Sequence, residues 1–142
     1  MSKYLFFILA ILILSFSGCK EDVNFGEYEA IKMDKKSAEM TAEGGVETFE
    51  CQNYNLFLNS VEVIEGGESV RKWETVKFKE EYPGHEDDWF SFDFPPKEGD
   101  RNYTKKFRVE VEPNNTATER SVKFGLYTHV HEITVVVVQK GK

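Results

Sequence analysis

Between residues 106 and 112 the chain reads Lys106-Phe107-Arg108-Val109-Glu110-Val111-Glu112. Apolar and charged side chains alternate there without a break. Successive side chains of a strand point to opposite faces, whereas a helix needs a repeat near 3.6. The segment therefore reads as a half-buried strand. Val122, Phe124 and Leu126 form a second apolar row of the same period. Val135 to Val138 is apolar at every position, which predicts a strand that is central or partly covered on its second face.

Turn residues cut the rest of the chain into similar pieces. Gly44-Gly45 precedes a strand from Val46 to Cys51, and Asn53-Tyr54-Asn55 precedes one from Leu56 to Ile64. Gly66-Gly67 precedes Val70 to Lys79, and a loop through Pro83-Gly84 leads to Trp89-Phe94. Pro95-Pro96 forbids a central strand beyond that point. Tyr103 to Glu112, Arg120 to Thr128 and Glu132 to Gln139 complete the series, with Glu29–Met33 and Ala38–Thr41 as short, weak additions. No segment carries a helical period over a window of about eleven residues. Roughly eight strands separated by turns every 8–12 residues indicate an all-β fold, an immunoglobulin-like antiparallel β-sandwich of about 7–9 strands.

The N-terminus carries a different signal. Lys3 is followed by Tyr4 to Leu14 without a charge. A secretory apolar region runs roughly 7–15 residues, and a spanning helix needs about 20. Ser17-Gly18-Cys19 then resembles the lipobox of bacterial lipoproteins, although Phe16 stands where Leu is usual. The resemblance implies a removable signal over 1–18, lipid on Cys19 and a tether over 19–26. Lipid chains contribute about 0.8 kcal/mol per buried CH₂, so two or three hold a protein firmly. Lys20-Glu21-Asp22 resembles the surface-export tag of Bacteroidetes lipoproteins, which implies an outer-membrane anchor facing the cell exterior; a plain polar tether is the other reading.

Residues 27–142 then form one domain by size. The chain carries 18 basic and 25 acidic residues, for a net charge of −7. One basic residue and no acid falls in 1–18, so the remainder stands at −8. That balance argues against nucleic acid and against an electrostatic membrane patch. With Cys19 lipidated, Cys51 has no disulfide partner, and it shares a strand face with Phe49. It is expected to be a buried structural thiol.

The C-terminal half resembles the BACON domains, the Bacteroidetes-associated, carbohydrate-binding, often N-terminal modules. The residues concerned are Trp89 at the head of an aromatic strand and Phe107-Arg108-Val109-Glu110-Val111. The turn Pro113-Asn114-Asn115-Thr116-Ala117-Thr118-Glu119-Arg120 follows, and Val138-Gln139-Lys140-Gly141 closes the chain. The likeness covers 85–142 well and 27–65 more loosely, while 66–100 is longer than the family norm. It implies a non-catalytic, immunoglobulin-like module with a carbohydrate role inferred from its company in glycan-degrading proteins.

Two tryptophans are the leading candidates for ligand contact. If Phe90, Phe92 and Phe94 face the core, period two puts Trp89 outside with Ser91 and Asp93. If Val76 and Phe78 face inward, Trp73 lies with Thr75, Lys77 and Lys79. An exposed indole stacks on the C–H face of a sugar, and Asp93, Glu74 and the Tyr82 loop would accept its hydroxyl protons. A bulge reverses a face, and the family's matching Trp is read as core, so both placements stand.

Other motifs are weaker. His129 and His131 lie two apart and could share a face toward zinc, but no third ligand is near in sequence. His85-Glu86-Asp87-Asp88 lacks the alternating oxygens and glycine of a calcium loop. Asn102-Tyr103-Thr104 and Asn114-Asn115-Thr116 match a glycosylation pattern that turn chemistry explains equally well. No phosphate loop and no Gly-x-Ser-x-Gly occurs. The expectation is therefore no enzyme, no metal and no cofactor. The expected protein is a surface-anchored binding or adhesion module for a glycan or a cell-surface partner, or else a structural accessory that binds another envelope protein.

Overall fold

The computed structural model describes residues 27–75, 80–95 and 104–142. The expected signal, Cys19 and Lys20-Glu21-Asp22 lie outside them, as do Val76, Phe78 and Asn102. The described residues form eight strands: β1 (Ser37–Met40), β2 (Gly45–Glu50), β3 (Phe57–Glu65), β4 (Glu68–Glu74), β5 (Phe90–Asp93), β6 (Lys106–Val111), β7 (Arg120–Tyr127) and β8 (Glu132–Gln139). They make two sheets, of order β1-β8-β7-β3-β4 and β2-β6-β5. The chain is thus an all-β sandwich.

Two details differ from the expectation. Glu29–Met33 is not a strand; only Met33 bridges, to Cys51. The pairing is antiparallel except between β1 and β8, which run parallel. A chain returning to pair with a strand a hundred residues later is free to choose either direction, and no local turn dictates it.

The alternation of β6 appears as written: Phe107, Val109 and Val111 are buried and their charged neighbours exposed. Val122, Phe124 and Leu126 of β7 face them from the five-stranded sheet, all with no exposed surface. Phe124 is the meeting point. Its ring lies 4.9 Å from Phe107, 5.4 Å from Phe92 and 5.5 Å from Phe90, each in edge geometry. Burying such a ring fully contributes about 1.5–3 kcal/mol. β8 sits between β1 and β7; Ile133, Val135 and Val137 face the core, and Val136 and Val138 are half-buried on its second face. Cys51 is buried beside Phe49 at the end of β2, its Sγ 3.6 Å from Asn53 Oδ1.

Candidate functional site

The sandwich is open on the side where β4 and β5 form the outer edges of their sheets. The loop 80–88 crosses this side. Beneath it lies a groove of about 470 Å³. Trp73 of β4 forms one wall, Phe92 and Phe94 form the other, and Leu56, Phe57 and Leu58 line it below. Tyr82 closes it from the loop, and Glu80, Glu81 and Thr104 complete the lining.

Tyr82 is held by Asp88. Its hydroxyl donates to Asp88 Oδ2 at 2.7 Å, and the His85 backbone N–H donates to the same oxygen at 2.9 Å. The other oxygen of Asp88 takes a charge-assisted bond from the Arg71 guanidinium of β4. Asp88 therefore ties the loop to the sheet edge and sets the ring of Tyr82 over the groove. Burial, and then the bond to Asp88, push the Tyr82 phenol up to about 12. The ring meets Trp73 edge-on at 5.5 Å and leans on Phe92 at 5.8 Å.

The four ligand candidates separate. Trp73 and Tyr82 share the groove. Trp73 is on the inner face of β4, opposite buried Val61, not on a polar outer face. The expected face was counted from Val76 and Phe78, but β4 ends at Glu74, and Thr75 beyond it is itself buried. Arg71, Trp73 and Thr75 thus share the inner face at a period of two, the reverse of the expected assignment, whose anchors Val76 and Phe78 lie outside the described residues. Glu74 does point outward, into an ion pair with Lys72.

Trp89 is a clear correction: it is 4% exposed, in the core. It stands one residue ahead of β5, so the alternation of that strand does not govern it, and Trp89 and Phe90 are buried together. The Arg120 guanidinium covers its ring. Asp93 lies on the outer face of the small sheet, in a two-bond pair with Arg108 at 2.7 and 2.8 Å. Neither residue reaches the groove, and Trp73 and Trp89 form no joint platform.

The residues quoted for the family likeness form a polar network around Trp89. Arg120 Nε donates to Gln139 Oε1 at 2.8 Å, and its Nη2 donates to the carbonyls of Glu112 and Pro113. Gln139 Nε2 donates to the carbonyls of Ala42 and Glu112. Asn114 is fully buried; its Nδ2 donates to the carbonyls of Thr118 and Lys140, and its Oδ1 accepts from Thr116. Every polar atom of the two buried amides is satisfied, which is what burial of such groups requires. This network staples the turn after β6 to the last strand. A glycan on Asn114 has no room.

The histidines part as well. His131 Nε2 lies 2.8 Å from the Glu29 carbonyl, which also accepts from the Tyr54 hydroxyl. His129 packs against Phe57 and Tyr127 at a positive φ of 71°. Among the described residues no three His, Cys, Asp or Glu side chains are gathered to hold a metal.

No family model matches the chain, and no curated protein does. Among solved structures, the NMR structure of a protein from Bacteroides thetaiotaomicron is similar. It is 20% identical with a TM-score of 0.55, over 88% of this chain and 98% of that one. At that identity the likeness is one of fold, the two-sheet sandwich.

Proposed function

We propose that the protein is a non-catalytic binding and adhesion lipoprotein of BACON type, anchored at the outer membrane through Cys19 and facing the cell exterior. Its ligand site is the groove between β4 and β5. The observation that carries this reading is the groove itself. Trp73, Tyr82, Phe92 and Phe94 converge there on one concave surface, with carboxylates of Glu80 and Glu81 beside them. Concave, largely apolar surfaces with a few polar groups are the usual form of a binding site. The lining offers burial and hydrogen-bond acceptors, and no nucleophile–base pair.

The test is binding of residues 20–142 to a glycan array and to isolated cell envelopes. Binding that is lost in Trp73→Ala and kept in Arg108→Ala supports the groove as the site. Retention of all binding in Trp73→Ala overturns it. A structural accessory that binds another envelope protein is the second reading. It is favoured by the outer edges of β4 and β5, which no strand pairs with among the described residues.

A further inference from the structure

We infer that the groove receives an extended, basic protein segment, which adds as a strand to the outer edge of β5 and buries a large apolar side chain beside Phe92 and Trp73. The inference rests on the reading of the groove as the binding site and names the class of its ligand.

The lining decides first against a sugar. Leu56, Phe57, Leu58, Phe92 and Phe94 offer no side-chain hydrogen-bond partner; the hydroxyls of Tyr82 and Thr104 already donate to Asp88 and to the Lys106 carbonyl, and the carboxylates of Glu80 and Glu81 are exposed. A pyranose ring carries a hydroxyl on most of its carbons. Those turned to this wall would lose water and gain nothing, which is costly for any buried polar group. An aromatic or branched aliphatic side chain has no such loss and fills the same space.

The charge decides the sequence around that side chain. Glu80 and Glu81 are exposed beside the groove, and among the described residues neither has an ion-pair partner. The chain as a whole is acidic, at −7. Lysine or arginine flanking the apolar anchor meets that field; aspartate or glutamate is repelled.

The backbone decides the conformation. Trp89 C=O accepts from Glu112 N–H, opposite it in the β5–β6 ladder. Bonded and non-bonded pairs alternate along an antiparallel ladder. The N–H and C=O of Phe90 and Phe92 therefore point to the outer edge. A strand added there turns every second side chain to the side that Phe92 faces, into the groove. The edge of β4 is less suited. A register shift interrupts it opposite Val63 and Ile64, and Lys72 and Glu74 flank it, features that blunt an edge against pairing.

The test uses ¹⁵N-labelled residues 20–142 and a synthetic decapeptide alternating lysine with phenylalanine or valine. Comparison probes are the same peptide with glutamate for lysine, two versions N-methylated along one edge or the other, and cellohexaose and chitohexaose. The lysine peptide is expected to shift the Trp73 indole signal and the Phe90 and Phe92 amides. The glutamate peptide should bind about tenfold weaker at low salt. Glu80→Gln with Glu81→Gln, both exposed, should weaken the lysine peptide about fivefold, less at high salt. One N-methylated version should lose binding and the other keep it. Equal binding of both N-methylated versions, or of the acidic and basic peptides, overturns the inference. A hexasaccharide that shifts Trp73 while the peptides do nothing overturns it too, but leaves the binding-module reading intact. Silence of Trp73 toward every probe removes both.

Discussion

The Arg120 guanidinium lies 4.3 Å from the centre of the Trp89 indole. One side chain thus covers the ring and also bonds Gln139, Glu112 and Pro113. Arg120→Ala should cost about 2–4 kcal/mol, because it uncovers the indole and strands the buried Gln139 oxygen. Arg120→Lys should recover less than half of that, since an ammonium cannot match the planar fork. Urea unfolding of residues 20–142 reads both. A lysine variant as stable as the parent contradicts the argument.

Gly141 is needed for its lack of a side chain. A Cβ there would stand 2.8 Å from the Thr116 carbonyl oxygen and closer still to the Ala117 carbonyl, all backbone that cannot step aside. At Gly125 the obstacle is chiefly the Ser60 hydroxyl, the end of a small side chain. Gly141→Ala should destabilise by about 1–3 kcal/mol. Gly125→Ala should be partly rescued by Ser60→Ala, and Gly141→Ala should not. Thermal melts of the two glycine variants, each with and without Ser60→Ala, and of Ser60→Ala alone decide it; equal rescue would refute the distinction.

Tyr82 makes stability depend on alkaline pH. Its phenol is raised from 10.0 to about 12, so between those values the folded state holds a proton that the unfolded state releases. Stability must then fall as pH rises. The contribution is whole below pH 10 and is lost on passing 12. Urea midpoints at pH 9 and pH 11.5 should differ more in the parent than in Tyr82→Phe. Absorbance of tyrosinate in the folded protein should show a late-titrating phenol that is missing from Tyr82→Phe. Identical pH slopes in the two proteins would exclude the assignment.

The two indoles should answer a quencher differently. Trp89 is 4% exposed and Trp73 only partly buried in an open groove. In Trp73→Phe the remaining emission should be blue-shifted and nearly immune to iodide, while the parent is quenched in part. Equal quenching of parent and variant would place the exposed indole at Trp89 instead.

The strand interiors were legible from single side chains. Phe107, Val109 and Val111 alternate because both neighbours of β6 hold it flat, so burial follows sequence position one for one. Legibility failed at strand ends. Trp89 is buried just before β5, next to buried Phe90, where the alternation of the strand has not begun. The groove was visible only as its parts. Trp73 and Tyr82 stood out as aromatics near acids, but the Arg71–Asp88 bond that brings them together spans 17 residues and leaves no local pattern. Gln139 and Arg120 stood out as motif residues, and only the packing reveals that both serve the burial of Trp89.

The parallel pairing of β1 with β8 has a mechanical consequence. Ser37 pairs with Val136 and Met40 with Gln139, so the chain enters this ribbon at one end and leaves it at the other. Tension between the two ends of the domain drags the strands past each other lengthwise, and all four pairs resist at once. Two antiparallel end strands would instead peel apart pair by pair. Stretching single molecules from residue 27 to residue 142 should give one abrupt, high-force rupture, and early release of β1 at low force would count against it. A domain wired in this way is suited to transmit a pull along its length.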